Sequence, residues 1–253
     1  MTATPELRIL PIRVAGEILS GDSLLEKLLS ASKHQKLRLA KGDILVVKLK
    51  VVSKAEGQLV ALESIKPSRS SREWAKRYGL DARVTELALT QSKRIVRRQR
   101  KVMITETHHG FICANSGVDV SNVDGGKHAL LLPDNPDGSA LQLHRQIKKH
   151  LKIHIPVIIS DSFGRPWREG LTEVAIGVAG MKSLYDYRGR CDAHGYTLHS
   201  SIEAVADELA CAAGLVCGKL EGTPACVIRG YRYQPGRGGG RELIRPAAND
   251  LFR

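Results

Sequence analysis

The chain reads as an α+β protein built on a mixed sheet, and three observations lead there. Apolar segments of strand length alternate irregularly with amphipathic stretches, without the βαβ spacing that a doubly wound fold repeats. At 253 residues, 42% of them apolar, the chain can bury a substantial core. No linker divides it and no internal repeat runs through it, so residues 1–253 form one domain, a compact unit of one or two subdomains.

The elements follow in order. LRILPIRV is a strand ending near Val14. In SGDSLLEKLLSAS, Asp22 or Ser23 caps a helix that buries Leu24, Leu25, Leu28 and Leu29. Residues 43–52 (DILVVKLKVV) are rich in β-branched side chains and predict a strand that runs into the polar turn SKAEG. Residues 71–98 predict one or two exposed basic helices, and residues 102–104 and 110–114 a hairpin about the tip 106–109. Residues 115–138 are loop-rich. Ser139 and Gln142 form a capping box for a helix with Ala140, Leu143, Ile147 and Leu151 on its apolar stripe. IHIPVIIS is a buried strand ending at Asp161, and residues 172–181 a strand broken by glycine. Ser200 and Glu203 cap a helix that turns Ile202, Val205, Ala206, Leu209, Ala213 and Val216 inward and stops at Gly218. ACVIR is a last strand, and the tail from about residue 235, with its glycine run 236–240, is expected to be flexible.

The formal charge is +13, which attracts anions: nucleic acid, nucleotide or phosphorylated metabolite. Aromatic residues make up only 4%, too few for the stacking platforms of a single-strand binder, and acidic loops interrupt the basic surface, so nucleic acid is not the expected partner. The basic run Lys93, Arg94, Arg97, Arg98, Arg100 and Lys101 reads as a solvated face. No stretch approaches the roughly 18 apolar residues of a membrane helix. Five cysteines without CxxC spacing argue against zinc and against a disulfide framework, and the start of the chain has no signal-peptide core, so the cytoplasm is expected. Cys211 and Cys217 read as small core residues.

Hard cations need several oxygens converging from separate elements. Two segments offer them, each directly after a buried strand: NSGVDVSN with Asp119, and SDSFGRPWR with Asp161 and Ser162. Arg165 and Arg168 beside the second can neutralise phosphate oxygens. Each aspartate has a plainer reading as a turn or cap residue. No GxxxxGK[ST] loop is present, so a nucleotide would rely on other lysines and backbone donors, Lys54 and the loop GKLEGT among them.

Seven stretches together carry a resemblance: VVSKAEG, ICANSGVDVSNVDG, LLLPDNPDGSA, ISDSFGRPWREG, EVAIGVAGM, EAVADELACAAGLVCGK and PACVIRG. In this order and spacing they resemble the coenzyme F420-0:L-glutamate ligases over nearly the whole chain. The resemblance implies a fold of two intimately joined subdomains and an intertwined homodimer. It implies a GTP-dependent ligase that adds L-glutamate by γ-glutamyl amide bonds to F420-0 or a close precursor through an acyl phosphate. Two divalent cations per site, Mg²⁺ or Mn²⁺, and K⁺ are implied as cofactors, with GTP as co-substrate. By similarity Asp119 and Asp161 hold the first cation and Ser162 helps hold the second, while Arg165 belongs to the catalytic group. GTP would meet Ala15, Gly16, Glu17 and Ile18, then Leu49, Lys50, Lys54 and Asn122, and the loop Cys217, Gly218, Lys219, Leu220, Glu221, Gly222 and Thr223. The chain departs from the pattern in that loop: an acidic ligand of the second cation is expected after Gly218, but Lys219 stands there, and Glu221 is the expected substitute.

Overall fold

A computed structural model describes residues 6–121 and 124–251. Its strands are β1 (Arg8–Ile12), β2 (Ile44–Lys48), β3 (Leu59–Ala61), β4 (Ser92–Gln99), β5 (Val102–Thr107), β6 (Ile112–Ala114), β7 (His128–Leu130), β8 (Val157–Arg165), β9 (Arg168–Ala179), β10 (Tyr185–Asp186), β11 (Ile202–Glu203) and β12 (Ala225–Arg229). Its α-helices are α1 (Leu24–His34), α2 (Leu49–Ala55), α3 (Arg69–Tyr78), α4 (Ala82–Thr90), α5 (Pro136–Leu151) and α6 (Val205–Cys217).

The core is a five-stranded sheet ordered β1-β12-β2-β8-β9. Only β2 and β8 run parallel, so the sheet is mixed as expected. Strand alternation decides which side chain meets which layer. Leu45, Val47, Val157, Ile159, Ala225 and Val227 face α1, α2 and α5. Their neighbours Ile44, Val46, Ile158, Cys226 and Ile228 face α6. Each buried Val, Leu or Ile among them stabilises the fold by about 1.5–3 kcal/mol. A separate three-stranded sheet, β4-β5-β6, carries the basic run.

Several elements differ from expectation. The strand expected over 43–52 ends at Lys48, and Leu49 opens helix α2. Burial of Leu49, Val52 and Ser53, at i, i+3 and i+4, outweighs the β propensity of the two valines. Residues 92–99 are strand β4 rather than helix, because the backbone pairs with β5. Helix α5 begins earlier than expected: Asn135, not Ser139, caps it, its side chain accepting from the amide of Gly138. Helix α6 starts at Val205 without a side-chain cap, and the expected capping segment is drawn into strand β11 against β10. Ile202 is accordingly exposed. Gly218, with φ 53°, ends α6 as expected. Cys217 is buried in the core, but Cys211 is exposed and donates to the carbonyl of Glu173.

The glycine run expected to be flexible is packed instead. Gly240 is buried, its amide donating to Asp137 Oδ1 at 2.7 Å, and Gly239 exchanges hydrogen bonds with Ser183. Cβ atoms on Gly238 and Gly240 would overlap the carbonyl oxygens of Met181 and Ile176, so the run lies against the sheet as only glycine can.

Candidate functional site

The parallel pair β2 and β8 creates the opening for a site. Their register ends at Lys48 opposite Ser160. Beyond it β2 turns into α2, while β8 continues to Arg165 paired only with β9. Asp161 and Ser162 therefore lie within an extended strand, not after its end as expected, along an edge that β2 has left open. The cavity there measures about 580 Å³ and sits at the carboxyl ends of the parallel strands, where α/β sheets commonly bind ligands.

One wall carries the carboxylates. Asp119 is held by an exchange of backbone hydrogen bonds with Leu130. The chain reaches it through three successive left-handed residues, Asn115, Ser116 and Gly117. Ser116 stays there because its amide and hydroxyl bond Thr105 and Ala88 inside the core. A side chain on Gly117, at φ 72°, would in addition press on Leu132. The carboxylate of Asp119 pairs with Lys50 Nζ at 2.8 Å and accepts the Ser121 amide at 2.7 Å. Burial opposes its ionisation, but the Lys50 and Ser121 hydrogen bonds prevail and hold its pKa below the usual range. Asp161 behaves oppositely: burial, with the charges of Glu173 and Asp119 nearby, pushes it up to about 6, against the pull of the Ser162 amide.

Between the carboxylates and the opposite wall runs a polar chain in which Ser162 is an expected site residue but Lys48, Ser160 and Glu173 are not. Lys48, ending β2, forms an ion pair with Glu173 on β9. Glu173 is buried and also accepts from Ser160 Oγ at 3.0 Å and Ser162 Oγ at 2.6 Å. Burial again works against its charge, but Lys48 and the serine hydroxyls hold its pKa low. A signal for this pair existed: a lysine and a glutamate in otherwise apolar strands must find partners, because an unpaired buried charge is costly.

The opposite wall is the loop after α6. Lys219 reaches across to donate to Ser162 Oγ at 2.8 Å. Cys217, Gly218, Gly222 and Thr223 line the cavity beside it, as do Gly16, Glu17, Ile18, Leu49, Lys50 and Lys54 from the other chain segments. Lys54 stands in the last turn of α2, not at a strand end, and its Nζ lies 3.6 Å from Glu17.

Four expected site residues do not line this cavity. Ala15 is exposed beside it, and Leu220 projects outward, 89% exposed. The carboxylate of Glu221 folds back on its own loop and accepts the Leu220 amide at 3.0 Å, which lowers its pKa. Arg165 sits at the tip of the β8–β9 hairpin, donating to the carbonyl of Glu169. Asn122 lies outside the described residues.

Among the described residues no group of three or more His, Cys, Asp or Glu side chains is arranged to hold a metal unaided. Two carboxylates nonetheless suit a hard cation that takes its remaining oxygens from water and a phosphate-bearing ligand. Asp161 supports that fit, since a buried carboxylate facing two others gains from a neighbouring cation.

The class of protein that the fold and site define is an α+β protein with a mixed sheet, whose parallel pair opens onto a cavity lined by carboxylates and four lysines. Comparison with known proteins makes the assignment particular. The family model for F420-0:Gamma-glutamyl ligase matches residues 12–230, and the chain belongs to that family. It is similar to the coenzyme F420:L-glutamate ligase of Methanothermobacter thermautotrophicus, 44% identical over 92% of this chain and 94% of that protein. The proteins of the same description from Methanocaldococcus jannaschii and Methanopyrus kandleri are 45% and 41% identical. The first covers 84% of this chain and 85% of the relative, the second all of both. The family is one of ligases that attach glutamate in coenzyme F420 biosynthesis, so the substrates are small molecules. Among the described residues no helix is long and apolar enough to cross a membrane.

Proposed function

We propose that the chain uses GTP to join L-glutamate through γ-glutamyl amide bonds to coenzyme F420-0 or a close precursor. One observation carries the reading. A single cavity gathers Lys50, Lys54 and Lys219 around Asp119 and Asp161, which is the inventory that phosphoryl transfer needs.

A carboxylate is too poor an electrophile to react with an amine, so the acceptor carboxylate first takes the γ-phosphoryl group of GTP. The α-amine of glutamate then attacks the acyl phosphate, the carbon–nitrogen bond forms, and phosphate leaves. Lys50 and Lys54 neutralise the phosphates from the α2 side, and the loop 217–223 closes the nucleotide in from the other. Asp119 and Asp161 would hold one divalent cation, Mg²⁺ or Mn²⁺, which would supply charge to neutralise phosphate oxygens. Because the work is positioning and charge neutralisation, no covalent protein nucleophile is required. The same reading has the protein act as a homodimer and respond to K⁺, testable by light scattering and by replacing K⁺ with Na⁺.

The test is direct. Purified protein is incubated with GTP, Mg²⁺, L-glutamate and an F420-0-type acceptor, and product masses are read alongside released phosphate. Acceptor heavier by glutamyl residues, in step with phosphate, is expected. Phosphate release with the acceptor mass unchanged, or glutamylation that proceeds without GTP, contradicts it.

A further inference from the structure

The resemblance implies a second divalent cation at Ser162, and the residues present do not fit one. Glu221, the expected acidic ligand, is turned into its own loop. A serine hydroxyl has one proton and two lone pairs. Ser162 donates that proton to Glu173 Oε1 at 2.6 Å and accepts Lys219 Nζ at 2.8 Å, leaving a single lone pair beside an ammonium group. Glu173 has three of its roughly four acceptor sites taken. Its Oε1 takes Lys48 and Ser162, and its Oε2 takes Ser160. A dication entering here would displace Lys219 and face Lys48 across Glu173.

We propose that Lys219 and Lys48, joined through Ser162 and Glu173, stand in for the second divalent cation. The chain Lys219–Ser162–Glu173–Lys48 contains two ammonium groups and one carboxylate, a net positive charge built into the protein. Both lysines line the cavity, Lys219 from the loop wall and Lys48 from the end of β2 between the two walls. Lys48 is mostly buried at the end of a core strand, which fixes one end of the chain. Lys219 belongs to an exposed loop, so its end can shift onto a ligand. The ligand class is the terminal phosphates of a nucleoside triphosphate, whose oxygens accept charge-assisted hydrogen bonds from ammonium groups. The inference rests on the GTP reading above and deepens it to a one-metal site.

The test counts bound Mn²⁺ by electron paramagnetic resonance on the full chain with the β,γ-imido analogue of GTP. One Mn²⁺ per chain is expected for the wild type, and two for Lys219→Glu, which returns a carboxylate to Ser162. Lys219→Ala should still bind one Mn²⁺ but hold the analogue about tenfold or more weakly, as loss of a charged donor implies. Lys219 is exposed, so neither variant threatens the core. Two Mn²⁺ in the wild type, or an analogue affinity unchanged in Lys219→Ala, overturns the proposal while leaving the GTP reading in place. No binding of the analogue by the wild type overturns the GTP reading itself, and the one-metal site with it.

Discussion

The two walls of the cavity are built on different principles. The carboxylate wall is fixed by backbone: Asp161 within a strand paired to β9, and Asp119 bridged to Leu130 through amides. The facing wall is a loop of mostly exposed residues, released from α6 by one left-handed glycine. Charge on the first wall sits where the sheet puts it. Charge on the second depends on which side chain the loop happens to present, and here the cavity receives Lys219 while Glu221 turns away. A strand therefore fixes where its charge sits, whereas a loop can present a different side chain to the cavity without disturbing the fold.

That contrast can be broken most severely at Asp161. Asp161→Asn should lower ligation by about a thousandfold or more, the scale of removing a preorganised electrostatic group. In metal-free protein the same change should stabilise, because the native carboxyl is pushed from 3.8 up to about 6. A raised carboxyl pKa means that the native state binds the extra proton, so stability falls as pH rises between those values. The advantage of Asp161→Asn should be absent below about pH 4 and reach about 3 kcal/mol above about pH 6, at 1.36 kcal/mol per unit. Thermal melts at pH 4 and pH 7 without metal check it. Equal melting shifts at both would deny that Asp161 is strained by burial and neighbouring charge.

Asp119→Asn should cost about a hundredfold in turnover, less than Asp161, since Lys50 and Ser121 already balance its charge. Steady-state rates across a Mn²⁺ titration separate lost affinity from lost turnover. Lys54→Met should weaken GTP about tenfold, near 1.4 kcal/mol, and leave the KM for glutamate unchanged. Equal losses for both substrates would remove Lys54 from the nucleotide side. The smallest effect belongs to the loop: Glu221→Gln should change activity and metal dependence by less than about twofold, because the Leu220 amide can bond a neutral carbonyl as well. A several-fold rise in the Mn²⁺ needed would show that the loop turns Glu221 inward in the working enzyme.

Much of this architecture was legible in the sequence, and the exceptions have physical causes. Core strands with uninterrupted apolar runs, such as ACVIR, and helices with clear stripes, such as α1, were readable from period alone. Residues 49–52 were not. Their valines favour a strand in isolation, and only the burial of Leu49 and Val52 against the sheet makes them helical. Strand β4 was hidden by its arginines and lysines, which suit an exposed edge strand as well as an exposed helix. At the site, motif residues such as Asp119, Asp161 and Lys50 were visible in the chain, and the structure brings them to one cavity. Lys48 and Glu173 escaped notice because Lys48 stands in an apolar strand and Glu173 only opens the apolar stretch EVAIGVAGM, so nothing in the chain pairs them. They lie 125 positions apart in sequence and meet only through the sheet.

The claim that this chain is a GTP-driven ligase acting through an acyl phosphate has one most direct measurement. Acceptor is labelled with ¹⁸O in its reacting carboxylate and turned over once with GTP, Mg²⁺ and L-glutamate, and the isotope is read in the released phosphate. The account predicts one labelled oxygen per phosphate, because the acyl oxygen leaves with phosphorus when the amine attacks. Glutamylated product accompanied by unlabelled phosphate would contradict it.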